Sequence, residues 1–258
     1  MKEINLMKQP IYWAFGKMRS NARFFSIVVL AVAISISVSG CARQVAEPPA
    51  VPAKARHSGS NLEQRAYRAM QQGDFETGIR LYEQLLRRDP DNVRAMYYLG
   101  YAYGQLGAHE QEITYYEAAI SKGYRQEDIF FNLGETYLEL GEADASIATF
   151  ERGLSLFPGS ANLHFGLARV YFETTDYSAA EAQLLKVIEL NPTDIQAREM
   201  LVTIYTAAGR INAAVDQLYE ILEIDPEHES ALALLETLKA RRPPGTESPY
   251  GIGGPSDN

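Results

Sequence analysis

Four histidines (His57, His109, His164, His228), one cysteine (Cys41) and 33 carboxylates are the side chains in this 258-residue chain that could ligate a metal, attack a substrate or move a proton. No two of the histidines stand at the three- to five-residue spacing of a metal-ligand pair, so no metal site is expected. No Gly-rich phosphate loop and no nucleophile elbow occurs, and the glycines recur at helix turns instead. The carboxylates are spread over solvated helix faces. These residues point to no enzyme and no cofactor. The formal net charge is −9, and because the first 40 residues hold five Lys/Arg and one acid, the remainder carries −13. Such an acidic body argues against nucleic acid, whose phosphates need clustered Lys/Arg.

The cysteine stands in a context of its own. Residues 24–38 form an apolar run behind Lys17, Arg19 and Arg23, a basic lead followed by a hydrophobic stretch. Fifteen residues with three serines fall short of the ~20 that an uncleaved membrane-spanning anchor needs. The run ends at Val38-Ser39-Gly40-Cys41, with an aliphatic residue three before the cysteine and small residues between. This resembles the bacterial lipoprotein signal. The resemblance implies a signal peptide over 1–40, a diacylglyceryl group on the Cys41 thiol, and cleavage that leaves Cys41 first. Ala42 stands where Asp would favour the inner membrane, so the resemblance implies an outer-membrane lipoprotein facing the periplasm. Met18 to Arg23 would make a compact basic lead, and the start is therefore expected at Met18. A lone cysteine leaves no internal disulfide.

The elements that position everything else come from a 34-residue period. Leu133-Gly134 aligns with Leu99-Gly100 upstream and with Leu167-Ala168 and Leu201-Val202 downstream. Tyr137 aligns with Tyr103, Tyr171 and Tyr205, Gly141 with Gly73, Gly107 and Gly209, and Pro158 with Pro90, Pro192 and Pro226. Five units, 59–92, 93–126, 127–160, 161–194 and 195–228, follow without insertion, each with two helical-period segments broken near its fifteenth residue. Positions within each unit run from 1 to 34.

These units resemble tetratricopeptide (TPR) repeats. The third supplies Phe130, Leu133, Gly134, Tyr137, Gly141, Ser146, Phe150, Gly153 and Pro158 at the family's pattern positions. The resemblance implies an all-α, right-handed superhelical solenoid of five helix-turn-helix repeats. Small residues at positions 8 and 20 let paired helices approach, with Gly134 facing Ser146. Departures are expected to weaken local packing without breaking register. They are Arg65 at position 7 of the first unit, Glu112 at position 20 and Gly123-Tyr124 in place of Pro in the second, and His164 and Arg198 at position 4 of the last two.

Around the repeats, 41–58 reads as the lipidated cysteine and a Pro-containing tether of up to ~50 Å. Ser60 and Glu63 read as a capping box. Residues 229–241 read as a capping helix over the last open face, and 242–258 as a disordered tail containing Tyr250 and Ile252.

In TPR proteins a second stripe, positions 2, 5, 9, 12 and 13, lines the concave groove. The resemblance therefore makes Tyr67, Tyr97, Tyr101, Phe131, Glu135, Phe165, Arg169 and Phe172 the candidate peptide-binding residues. Tyr97, Phe131 and Phe165 are expected as a partly exposed ladder. Six acids (Glu63, Asp128, Glu135, Glu139, Glu173, Glu199) against Arg94 and Arg169 are expected to favour a cationic partner. Glu63, Tyr67 and Tyr101 replace the Lys and Asn with which related domains clamp acidic chaperone tails. The expected function is a lipid-anchored periplasmic adaptor that binds a protein or peptide of a cell-envelope assembly. The alternatives are a pilotin-like escort for a pilus or secretion secretin, and a structural lipoprotein that self-associates through residues 231–235.

Overall fold

A computed structural model of the chain describes residues 61–240. Cys41, the signal-like run, the tether, Ser60 and the tail 242–258 lie outside the described residues. Within them are α1 (Asn61–Gln71), α2 (Phe75–Arg88), α3 (Val93–Gln105), α4 (His109–Ser121), α5 (Glu127–Glu139), α6 (Ala143–Leu156), α7 (Ala161–Glu173), α8 (Tyr177–Leu190), α9 (Ile195–Ala207), α10 (Ile211–Ile224) and α11 (Glu229–Lys239), and no strand. The helices pair as hairpins α1/α2 to α9/α10, each packed on the next, with α11 on α10. The expected all-α repeat solenoid is the fold. No described helix is long and apolar enough to cross a membrane.

Local chemistry at the repeat ends explains where the helices stop. At position 34, the side chains of Asn92, Ser160, Asp194 and His228 accept the N–H of Ala95, Leu163, Ala197 and Ala231, capping the odd-numbered helices. At position 15 the backbone turns left-handed, with Gly73, Gly107, Gly141 and Gly209 at φ 70–75°. The fourth repeat makes the same turn with Thr175 at φ 62°. The Asp176 N–H donates to the Tyr171 carbonyl at 2.8 Å there, as Glu142 does to Tyr137 at 2.8 Å.

Position 24 supplies the core column Tyr82, Tyr116, Phe150, Leu184 and Leu218, all at most 2% exposed. Phe150 reaches between Gly134 of α5 and Gly166 of α7. Ser146 does face Gly134, donating its hydroxyl to the Gly134 carbonyl at 2.7 Å. The space at Gly134, however, is taken by the Phe150 ring.

Three of the departures from the repeat pattern, Glu112, His164 and Arg198, find polar partners where the pattern places small or apolar residues. Glu112 is fully buried, and its carboxylate occupies the room left by the missing side chain of Gly104, with His109 Nδ1 3.2 Å from Oε2. His164 reaches the Gln183 amide oxygen at 2.7 Å and the Pro158 carbonyl at 3.3 Å. Arg198 repeats that arrangement one unit later. Its guanidinium donates to Gln217 Oε1 at 3.0 Å and to the Pro192 carbonyl at 2.9 Å, and lies 3.4 Å from Glu220. A polar residue at position 4 is thus clipped by a Gln at position 23 and by the preceding proline carbonyl, although Arg198 Nε stays buried without a hydrogen-bond partner.

The second repeat ends differently. Gln126 makes no side-chain cap, and Arg125 donates instead to the carbonyls of Ile120 (2.6 Å) and Tyr124 (2.8 Å) at the end of α4. Tyr124, which stands where the other units have their proline, stacks on Tyr97 with ring centroids 4.9 Å apart.

Candidate functional site

The odd-numbered helices from α1 to α11 present positions 2, 5, 9, 12 and 13 to one another across successive repeats, and side-chain bonds fix that register. Position 5 meets position 2 of the next repeat three times: Glu63 with Arg94 at 3.1 Å, Tyr97 with Asp128 at 2.7 Å, and Glu199 with Ser230 at 3.5 Å. Position 9 meets position 9 where Arg169 pairs with Glu135. These bonds bring stripe positions together between α1 and α3, α3 and α5, α5 and α7, and α9 and α11.

The two halves of the stripe differ. In the first, Tyr97 is fully buried, stacked on Tyr124, edge-on to Tyr98 and tilted against Tyr116. Tyr101 is 5% exposed and meets Phe75 edge-on. The expectation of a partly exposed ladder beginning at Tyr97 is corrected. Tyr124 covers that ring, and Tyr97 and Tyr101 serve as packing between helices. Tyr67, half-buried, packs against Tyr98.

In the second half, α5 carries Phe131, Glu135, Leu138 and Glu139 down one face, and α7 carries Phe165, Arg169, Phe172 and Glu173 at the same positions. Phe131, Phe165 and Phe172 are half-buried, leaving part of each ring open. The Arg169–Glu135 pair joins the two helices between these rings. Glu135, at 4% exposure, belongs to this internal pair and is not an exposed contact.

The acids of the stripe are likewise mostly engaged, which corrects the expectation of six acids acting on a partner. Glu63 pairs with Arg94, Glu135 with Arg169, and Glu199 lies 3.6 Å from His228. Asp128 accepts the Tyr97 hydroxyl, and burial pushes its carboxyl above the ordinary Asp value despite that bond. Burial, helped by Asp128, raises the Tyr97 phenol far above the tyrosine norm. Glu139 and Glu173 remain exposed, with no hydrogen bond or ion pair among the described residues. Among the described residues no group of three or more His, Cys, Asp or Glu is placed to hold a metal ion.

A stack of helical hairpins in which each repeat packs on its neighbours is the architecture of a repeat protein. Tetratricopeptide repeat models match residues 64–128 and 137–204, together just over half of the chain, and the chain belongs to that family. No curated protein matches the sequence. Among solved structures, a crystal structure of MamA aligns over 64% of this chain and 96% of its own, at 24% identity and TM-score 0.60. That of YrrB, described as a TPR protein with an unusual peptide-binding site, aligns over 80% and 99%, at 18% identity and TM-score 0.59. A tetratricopeptide repeat protein from Parabacteroides merdae aligns over 69% and 71%, at 19% identity and TM-score 0.61. These likenesses show the fold. It is that of proteins that bind proteins or peptides and not, in general, of enzymes.

Proposed function

We propose that this protein is a lipid-anchored adaptor of the bacterial cell envelope, which holds an extended protein segment on the α5/α7 face. The observation that carries the binding reading is the set of half-buried rings Phe131, Phe165 and Phe172, held in line by the Arg169–Glu135 pair. Aromatic rings offer large contact area at little cost in rotamer freedom, which is why they recur as interface anchors. The unusual peptide-binding site described for YrrB supports the same reading by analogy of fold. The anchor rests on the Val38-Ser39-Gly40-Cys41 sequence and its apolar lead. A doubly acylated thiol ether would hold the protein at a bilayer far better than a single chain.

Two measurements test the two parts separately. Intact mass spectrometry of the native protein should show Cys41 as the lipidated first residue, and Cys41→Ser should accumulate as unlipidated precursor. An unmodified Cys41 in the mature protein would remove the anchor. For binding, Phe165→Ala with Phe172→Ala in the full-length protein should lose the partner found by crosslinking in the native envelope, with helicity retained by circular dichroism. Unchanged crosslinks would remove the face from the site.

Self-association has one observation in its favour. Leu232, at position 4 of α11, is 45% exposed, whereas Met96 and Phe130 are buried at the same position in complete repeats. Sedimentation of wild type against Leu232→Glu separates the readings, since a dimer lost in the variant supports self-association and a monomeric wild type excludes it.

A further inference from the structure

The third and fourth repeats, 127–194, contain twelve Asp/Glu and three Lys/Arg, a formal −9 equal to that of the entire chain. This charge sits on the repeats whose stripe rings stay open. Most of the stripe's acids are engaged internally. The two that are not, Glu139 and Glu173, stand one repeat apart at the C-terminal ends of α5 and α7. Helix C-termini carry partial negative charge of their own, so both positions favour a cation more than a mid-helix glutamate would. Each glutamate directly follows the stripe's position-12 residue, Leu138 or Phe172. Glu142 and Asp144, exposed at the start of α6, add to the negative charge of these repeats.

We infer that the α5/α7 face is selective for a cationic extended segment of a protein partner, in which two Lys or Arg residues meet Glu139 and Glu173 while an apolar or proline residue between them rests on the neighbouring Phe172 ring. The inference rests on the binding role proposed above and adds the chemistry of the occupant. Packed helices lie ~8–10 Å apart, and an extended chain advances ~3.3 Å per residue. The two cations are therefore about three residues apart in the partner. An anionic segment meets the −9 field of these repeats and is repelled. Charge of this kind governs specificity and encounter more than total affinity.

The test uses full-length protein in neutral detergent and a labelled, end-blocked probe peptide, Ala-Lys-Leu-Pro-Lys-Ala, beside versions with both Lys changed to Gln or to Glu. Fluorescence polarisation should rank the Lys probe over the Gln probe by roughly two- to thirty-fold, the range two exposed ion pairs supply. The advantage should shrink as salt is raised, because a Debye length of ~10 Å at 0.1 M screens such pairs. Glu139→Gln with Glu173→Gln should abolish the advantage, and Glu139→Lys with Glu173→Lys should invert it in favour of the Glu probe. Both positions are exposed, so these changes spare the core, and circular dichroism verifies it. Equal binding of Lys and Gln probes, or a ranking unmoved by charge reversal, overturns the inference. If all three probes bind alike and Phe165→Ala with Phe172→Ala removes them all, the face still binds and only the cationic preference fails. If no probe binds, the inference and the proposed binding face fall together.

Discussion

The Phe150 ring occupies the space that a side chain on Gly134 would need: a Cβ there would stand 2.6 Å from Cζ and 2.8 Å from both Cε atoms. Phe150 is itself fully buried between α5 and α7, so it has no open side to retreat to.

Gly134→Ala should therefore overpack the hairpin and cost ~1–3 kcal/mol. At about 2–4 °C per kcal/mol for a body of this size, that lowers the thermal midpoint by several degrees. Gly159→Ala is the control, since a Cβ there meets nothing within 4 Å. Equal midpoints would mean that Phe150 is not confined between these helices.

Thr175 shows the opposite case. It takes φ 62° at the position where Gly141 takes 75° and Gly209 71°, and a β-branched residue in the left-handed region is strained by ~1–2 kcal/mol. Thr175→Gly relieves that strain and loses part of the gain to the freer unfolded chain. The bonds that the neighbouring Thr174 Oγ1 makes to Val170 and Tyr171 are untouched. The expected result is a net gain of about 1 kcal/mol in denaturant melts. A loss would show that Thr175 makes a compensating interaction.

How much of this was legible in the sequence follows from where each residue finds its partner. The 34-residue register fixed the helices, the turn at Gly141 and the position-24 column, because those residues meet partners at other pattern positions. The compensations were hidden because they involve residues off that pattern. Gly104 opens room for Glu112, and Gln183 and Gln217 clip His164 and Arg198. A signal did exist, since Gln stands at position 23 in the two repeats with a polar position 4 and in none of the three before them. The site was half legible. The pattern places the stripe positions on facing helices, but openness at position 5 depends on the loop behind it. There Tyr124 covers Tyr97, and no such tyrosine stands beside Phe131 or Phe165.

The clip makes a double-substitution test. Arg198 is 7% exposed, so Gln217→Leu leaves a buried guanidinium short of one acceptor and should cost ~1–3 kcal/mol. Arg198→Phe with Gln217→Thr reproduces the third repeat's Phe130 and Thr149. The pair should fall below the sum of the single costs, with a coupling of at least ~0.5 kcal/mol. Additive costs would mean that the two side chains do not depend on each other.

The Tyr97–Asp128 bond predicts behaviour at both ends of the pH scale. Burial first, then Asp128, raises the Tyr97 phenol well above its ordinary value of about 10. Tyr82, Tyr98 and Tyr124 are raised mainly by burial, and Tyr205 is pushed up to about 12 by burial and Glu181. Above pH ~10 the unfolded chain releases these protons while the folded one keeps them. The stability they represent is complete below pH ~10 and is lost as pH rises further. The tyrosinate absorbance of these five residues should therefore lag behind that of free tyrosine and rise with the loss of helical ellipticity. A smooth titration near pH 10 with helicity intact would mean that the cluster is open to solvent. Asp128 has the same sign at lower pH. Its raised value favours the protonated form in the folded state, so its contribution is present below the ordinary Asp range and is lost as pH climbs through mild acidity. Asp128→Asn keeps an acceptor for the Tyr97 hydroxyl and carries no charge to bury. It should flatten that part of the stability profile without lowering the midpoint at neutral pH, whereas Tyr97→Phe, which strips the carboxylate of its donor, should lower it there.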